Sequence, residues 1–184
     1  PLQELIQPEG DTQFDGVLKG IEQLVNESSV PLIVKETGAG IDSAVAKRLL
    51  NVGVKVIDVA GVGGTSWSRV EAARISSRPE TDKVGSTLTR KYELEMQERF
   101  NEWGNSTVYC LKSMQELAWE REFEIIASGG IRHAQDMIKA RCLGAHFVAV
   151  AQPVVRVLKE EGLKGLEKWF NLWRKEATMI MTLL

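Results

Sequence analysis

The sequence has little cysteine and no excess of either charge. Its two cysteines, Cys110 and Cys142, are too few for a disulfide framework or a thiolate metal cluster, so we expect two buried apolar thiols in a reducing cytoplasm. The 23 basic and 25 acidic residues give a net charge of −2, which does not favour nucleic acid or an anionic membrane surface. We therefore expect no nucleic-acid partner, and any phosphate recognition must be local.

Long apolar runs and an initiating methionine are also missing. No run is long enough to span a bilayer, and the start has no basic segment followed by an apolar one, so no membrane partner is expected. The chain begins Pro1-Leu2-Gln3-Glu4-Leu5, which predicts that a preceding strand has been removed by truncation or processing.

The residues that are present alternate between helical and β-branched segments. With 43% hydrophobic residues and 16 glycines, the composition is that of a globular domain with a buried core. Four short apolar runs predict parallel strands, and helical stretches lie before and between them. The predicted strands are 30–36, 54–60, 123–128 and 146–151, and the predicted helices are 16–26, 42–51 and 134–143.

This order predicts an α/β fold. Parallel strands joined by helical crossovers form either a doubly wound sheet or a (β/α)8 TIM barrel. A barrel needs eight strands and about 250 residues, so four strands in this length predict the last four β/α units of a barrel. We expect residues 1–184 to be the C-terminal half of a single barrel domain, with 155–184 as terminal amphipathic helices.

Two further segments lie between the second and third predicted strands. Residues 68–86 are polar, contain Pro79 and show no apolar period, which predicts a long loop or lid. After it, large apolar side chains recur at spacings of four, four and three, which places them on one helical face packed against the core. These side chains are Tyr92, Met96, Phe100 and Trp103.

Glycine pairs and hydroxyl or basic side chains follow the predicted strands, where the reacting groups of parallel α/β folds gather. Gly129-Gly130 follows the third strand and precedes Arg132, while Gly63-Gly64 follows the second strand and precedes Thr65 and Ser66. Such loops let backbone amides approach a phosphate, and the hydroxyl and guanidinium groups complete the cradle. For each pair alone, a tight strand-to-helix turn is an equal alternative, but two loops on one rim favour a phosphate ligand.

Lys35 ends the first predicted strand and is placed to extend over the mouth of a barrel. There it would stabilise an anionic ring or form a Schiff base, and the alternative is a salt bridge with Glu36 or Asp58. The two histidines, His133 and His146, have no companion ligands at metal spacing, which predicts structural or exposed roles. A serine hydrolase is disfavoured because no G-x-S-x-G turn occurs.

The acidic start of the chain offers oxygen ligands. Gln3 and Glu4 place an amide beside a carboxylate, which suits Mg²⁺ bridging to a substrate phosphate. Taken alone, these residues are better explained as a solvated acidic loop.

Four segments together resemble a known family. PLQELIQPEGD at 1–11, IVKETG at 33–38, DVAGVGGTSW at 58–67 and ASGGIR at 127–132 occur in this order, and the combination is similar to the C-terminal half of type 2 isopentenyl-diphosphate isomerases, which are flavin-dependent barrel enzymes. The resemblance implies FMN on the barrel mouth, with Mg²⁺ on the substrate diphosphate and NADPH as the reductant of FMN.

The resemblance also implies roles for individual residues. Gln3 would contact the reacting allylic end of the substrate as the catalytic and substrate-binding residue, and Glu4 would bind Mg²⁺. The remaining matches would contact FMN, either at its ring or at its phosphate. These are Lys35, Thr65, Ser66, Gly129, Gly130, Arg132, Ala151 and Gln152.

The implied reaction interconverts isopentenyl and dimethylallyl diphosphate, with reduced FMN as acid and base and no net redox change. We expect a homo-oligomer that also needs the missing N-terminal half of the same protein. Two alternatives stay open at this point. One is an FMN-dependent oxidoreductase of the hydroxy-acid oxidase type, which lacks its expected histidine after the second strand here. The other is a non-catalytic half-barrel that folds only with a partner chain.

Overall fold

The computed structural model describes residues 2–7, 9–77, 91–92, 95–96, 98–101 and 103–184. Four short strands form one parallel sheet in the order β1-β2-β3-β4, which is also their order along the chain. The strands are β1 (Ile33–Lys35), β2 (Val56–Asp58), β3 (Glu124–Ala127) and β4 (Phe147–Val148). Each lies inside a predicted strand, so the parallel α/β prediction is confirmed and only the strand lengths were too long.

Helices lie before, between and after the strands. They are α1 (Leu2–Ile6), α2 (Val17–Glu27), α3 (Ser43–Asn51), α4 (Trp67–Ser76), α5 (Thr107–Glu120), α6 (Ala134–Cys142) and α7 (Gln152–Leu183). Within α7, Gly162 has φ 67°, which breaks the helix into two segments. None of the helices described has the length and apolar character needed to cross a membrane.

The core lies between one face of the sheet and the helices. Ile57 of β2 and Ile125 of β3 are paired in register and fully buried, and they pack in one cluster with Leu49 of α3 and Met114 of α5. Side chains alternate along a strand, so their neighbours point to the opposite face. Ile33 and Phe147, at the two outer strands, are each more than half exposed.

The segment after β2 differs from the prediction. Residues 67–76 form helix α4 rather than a loop, and residues 78–86 lie outside the described part of the chain. The helix shows no apolar stripe because one of its buried positions is taken by Glu71, which is only 7% exposed and pairs with Arg74 at 2.8 Å. A paired carboxylate therefore occupies a buried position at which an amphipathic helix usually carries an apolar residue.

Two predictions of burial are wrong. Tyr92, Met96 and Trp103 are 60%, 48% and 62% exposed, so their common spacing does not place them in the core of the described chain. Cys142 is exposed, whereas Cys110 is buried as predicted. Helical spacing shows which residues share a face, but a neighbouring element is needed to cover that face.

Candidate functional site

A cavity of about 600 Å³ opens at the carboxyl ends of the four strands. This volume is in the usual range for ligand clefts, about 300–1,000 Å³. Seven of the predicted cofactor residues line it together: Lys35, Thr65, Gly129, Gly130, Arg132, Ala151 and Gln152. Among the described residues, the basic side chains in the lining are Lys35, Arg132 and Arg156, and no carboxylate lines it. The cavity therefore suits an anionic ligand.

The glycine loops after β2 and β3 contact each other directly. Gly129 has φ 93°, and a Cβ there would lie 2.1 Å from the carbonyl oxygen of Gly61. Gly130 has φ 80°, and its Cβ would approach Gly63 to 2.9 Å. Both positions require glycine for this contact between the loops as well as for their backbone conformation. Their glycines are therefore explained by packing, whether or not a phosphate binds nearby.

A buried carboxylate holds the floor of the cavity. Asp58, at the end of β2, is 4% exposed, and its Oδ1 accepts hydrogen bonds from Ser128 Oγ at 2.5 Å and from the Ala60 amide at 3.2 Å. Ala60 lines the cavity with φ 39°, a conformation that a non-glycine residue adopts at a cost. Thr107 Oγ1 donates to the carbonyl oxygens of Ser128 and Gly129 at 2.9 and 2.7 Å. These bonds fix the turns that carry the lining residues.

Lys35 is exposed and lines the cavity, and it forms no salt bridge with the Glu36 carboxylate. Lys35 Nζ donates to the Glu36 carbonyl oxygen at 2.7 Å. The Glu36 carboxylate instead accepts from the amides of Gly38, Ala39 and Gly40, which closes the loop after β1. With Asp58 also bonded elsewhere, neither salt bridge considered for Lys35 is seen among the described residues, and its ammonium group borders the cavity.

Ser66 lies beside the cavity but is not part of its lining. Its hydroxyl accepts from the Arg69 amide at 3.4 Å and bonds with Ser68 Oγ at 2.8 Å, and its carbonyl oxygen accepts from Val70. Ser66 therefore caps the start of α4. Of the two adjacent hydroxyl residues, Thr65 is the one that borders the cavity.

The start of α6 is occupied by the protein's own carboxylates. Asp136 accepts from the amides of Arg132 and His133 at 3.0 and 3.2 Å, and Glu176 of α7 accepts from the Ala134 amide at 3.2 Å. Arg132 Nη2 donates to the Gly63 carbonyl oxygen at 3.0 Å, which joins the two glycine loops.

Both histidines lie away from the cavity lining. His133 is the residue before α6. His146 Nδ1 accepts from the Ile125 amide at 3.0 Å, which ties the start of β4 to β3. The contact of His146 supports the structural role predicted from the sequence, and His133 is exposed, which was the other role predicted.

Gln3 and Glu4 lie in the short helix α1, apart from the cavity lining. Helix α1 packs against α4, whose first residue, Trp67, does line the cavity. Glu4 Oε2 accepts from the Asp11 amide at 3.3 Å. Within the described residues, no group of three or more acidic, histidine or cysteine side chains could hold a metal ion, so Glu4 would contribute to a metal site only together with ligands from elsewhere.

Sequence reasoning left several side chains of the lining unassigned, among them Thr37, Trp67 and Arg156. Thr37 and Trp67 stand inside the motifs already singled out, directly after β1 and after Ser66. Arg156 lies in the first turns of α7, and only the direction of that helix brings it to the cavity. Its position four residues after Gln152 was the available signal.

The chain matches the FMN-dependent dehydrogenase family over residues 6–184. Among its relatives is the isopentenyl-diphosphate delta-isomerase of Thermococcus onnurineus, 41% identical over the whole chain and 45% of the relative. That of Synechococcus sp. is 43% identical over 93% of the chain and 44% of the relative, and that of Chlorobium phaeovibrioides is 43% identical over 98% and 49%. The chain thus spans about half the length of these curated relatives.

Solved structures share the fold at lower identity. A flavocytochrome b2 with benzoylformate superposes with a TM-score of 0.60 at 18% identity, over 92% of this chain and 35% of that one. A mandelate oxidase with 2-hydroxy-phenylacetamide gives 0.55 at 21% identity, over 90% and 38%. The four β/α units described above are therefore the latter part of a TIM barrel, as predicted.

Proposed function

Because the chain belongs to the FMN-dependent dehydrogenase family, we propose that it forms the FMN-binding half of an isopentenyl-diphosphate isomerase. One observation carries the choice of reaction: relatives with this name are 38–43% identical over nearly the whole chain. The likeness to hydroxy-acid oxidase structures is at most 21% identical and supports the fold alone.

The volume of the cavity at the strand ends and its basic lining support FMN as the ligand. Backbone around Gly129 and Gly130, together with Gln152 at the start of α7, would receive the phosphate, and Arg132 would contribute positive charge. Lys35 borders the other side of the cavity, at β1, where its ammonium group would stabilise negative charge on the ring. Thr65 and Trp67 would contact the ring between these ends.

We assign the substrate and its metal to the N-terminal helix. Gln3 would contact the reacting allylic end of isopentenyl diphosphate, and Glu4 would bind the Mg²⁺ that neutralises the diphosphate. The packing of α1 on α4 supports this assignment because α4 begins on the rim of the cavity. An exposed ion pair adds to this packing: Arg74 of α4 contacts Glu9, which follows α1, at 2.6 Å.

The reaction adds a proton at one carbon of the substrate and removes one at another, so atoms and electrons balance without an external oxidant. When bound and reduced by NADPH, FMN would supply the acid and base for this exchange. The residues of this chain would bind and orient the diphosphate through Glu4, hold the allylic end through Gln3, and exclude water. Lys35 would hold the charge of the cofactor without transferring a proton.

The oxidoreductase alternative is weaker for a specific reason. Oxidation of a hydroxy acid needs a base beside the ring, and neither His133 nor His146 lines the cavity. The hydroxy-acid oxidase alternative expects a histidine after β2, and the residues there, 59–67, end in Trp67 and include no histidine.

We further propose that residues 1–184 form one half of a single barrel domain. Ile33 on β1 and Phe147 on β4 expose apolar surface on the sheet face opposite the helices, and β1 and β4 are the outer strands of the described sheet. A preceding half would cover this face and pair with both edges. Without that half, the fragment would self-associate, bind flavin weakly and show no isomerase activity.

The assembled protein would be a cytoplasmic homo-oligomer. The two cysteines are both free, as is usual in a reducing compartment. The oligomer is supported by exposed apolar residues on the terminal helix α7, including Leu172, Met179 and Leu183.

The complete protein should be assayed against two substrates. With FMN, NADPH and Mg²⁺, it should convert isopentenyl diphosphate into dimethylallyl diphosphate, detected by chromatography, and should not oxidise lactate or mandelate. Oxidation of a 2-hydroxy acid without isomerisation would favour the oxidoreductase. The isolated 184-residue fragment serves as the matched inactive control, and isomerisation by this fragment as a monomer would contradict the half-barrel proposal.

A further inference from the structure

Three of the described helices begin beside the cavity, and Ser66 caps the start of α4, which leaves the starts of α6 and α7 as candidates for a phosphate. The amides at the start of α6 already bond to carboxylates, since Asp136 accepts from Arg132 and His133 and Glu176 accepts from Ala134. A phosphate there would displace two carboxylates or be repelled by them. The start of α7 has no side-chain cap, so an anion fits better at this end of the cavity.

The start of α7 is itself a weak anion site without a side chain to help. Its second residue is Pro153, which has no amide hydrogen to donate. The amide set at this terminus is therefore smaller than in an ordinary helix. A dianionic phosphate bound here needs a nearby cation.

Arg156 is placed to supply that charge. It lines the cavity with Gln152 and Pro153, and its side chain is held by an ion pair in which Nε donates to Glu160 Oε1 at 3.0 Å. This bond does not use the two terminal nitrogens of the guanidinium group, which can donate two further hydrogen bonds in a fixed fork. Arg132, in contrast, already uses Nη2 on the Gly63 carbonyl oxygen.

We propose that Arg156 is a phosphate-binding residue of the cofactor site and that it selects FMN over the uncharged riboflavin. The inference rests on the proposed function, because it assumes that the cavity receives FMN. It adds a residue that contacts the phosphate and leaves the isomerisation chemistry to other residues. Glu160 is a positioning residue that holds the guanidinium group through Nε.

The test is a pair of flavin titrations on the complete protein, one with FMN and one with riboflavin. Binding is monitored by the quenching of flavin fluorescence. Arg156→Ala should weaken FMN binding about tenfold, as expected for losing one charge-assisted contact at a partly exposed site, and should leave riboflavin binding unchanged. Arg156→Lys should recover part of the loss. The difference between wild type and Arg156→Ala should shrink at high salt.

Lys159→Ala is the matched control, since Lys159 is a neighbouring exposed cation that does not line the cavity. It should leave both titrations unchanged. Equal weakening of FMN and riboflavin by Arg156→Ala would show a purely structural effect and overturn the inference, as would unchanged FMN binding. Both results leave the proposed function standing, whereas a wild-type protein that binds neither flavin would overturn the proposed function and this inference with it.

Discussion

Replacement of Asp58 tests how the floor of the cavity is held. Asp58→Ala removes the acceptor of two buried hydrogen bonds, from Ser128 Oγ and from the Ala60 amide. Hydrogen bonds to a charged group contribute about 1.5–3 kcal/mol each, which gives about 3–6 kcal/mol for the two. Removing a buried carboxylate also recovers part of its desolvation cost, so we expect a net loss of about 2–4 kcal/mol in the free energy of unfolding.

Urea unfolding of the complete protein, monitored by circular dichroism, measures this loss of unfolding free energy. Asp58→Asn keeps an acceptor oxygen and should lose only about 1 kcal/mol. The control is Asp15→Ala, because Asp15 is exposed and such a change should stay within about 0.5 kcal/mol.

The same variants should report on the cavity. Ala60 keeps its φ of 39° while its amide bonds to Asp58, so without the acceptor the turn can relax to a less strained conformation. Asp58→Ala should therefore also weaken FMN binding, and Asp58→Asn should do so much less. An unfolding free energy for Asp58→Ala within the range of the Asp15 control would refute the assigned role of the buried carboxylate.

Three further predictions concern other parts of the chain. Burial, followed by the charge of nearby Asp42, raises the pKa of Cys110 to about 11 from 9.0, so a thiol reagent at pH 8 should modify Cys142 and leave Cys110 unmodified until the protein unfolds. Because the unfolded thiol ionises first, stability should fall as the pH rises from about 9 to 11, and Cys110→Ser should remove that part of the dependence. Arg74→Ala should loosen α1 from α4, measured as faster amide exchange in residues 2–7, while Arg74→Lys should do so less. Gln3→Ala should lower the rate with FMN still bound, and Glu4→Gln should raise the Mg²⁺ requirement, so normal isomerisation in both variants would show that neither residue contacts the substrate or the metal.

The sheet and most of the cavity could be predicted because parallel strands impose a simple rule. Short β-branched runs that follow helices form the strands, and residues directly after them meet at one edge. From the sequence alone, this rule places Lys35, Thr65 and Gly130 together. It could not separate Thr65 from Ser66, because the choice depends on which hydroxyl caps α4.

The errors arise where one part of the chain depends on another. Helix α4 was missed because its buried position is held by Glu71, whose charge is balanced by Arg74, and Arg74 also reaches Glu9 near the start of the chain. Arg156 was missed because its relation to the cavity depends on the direction in which α7 leaves β4. The spacing of residues in the sequence predicts which side chains share a helix face. Which element or cavity that face contacts depends on how the helices and strands pack together.

We propose that the complete protein isomerises isopentenyl diphosphate with FMN bound in the cavity described here. A proton is added at one carbon of the substrate and another is removed from a second carbon. Incubation with FMN, NADPH, Mg²⁺ and substrate in deuterium oxide, followed by NMR of the product, tests it directly. We expect dimethylallyl diphosphate that carries solvent deuterium, with no NADPH consumed beyond the initial reduction of FMN. Product without deuterium, or NADPH consumption that rises with each turnover, would contradict it.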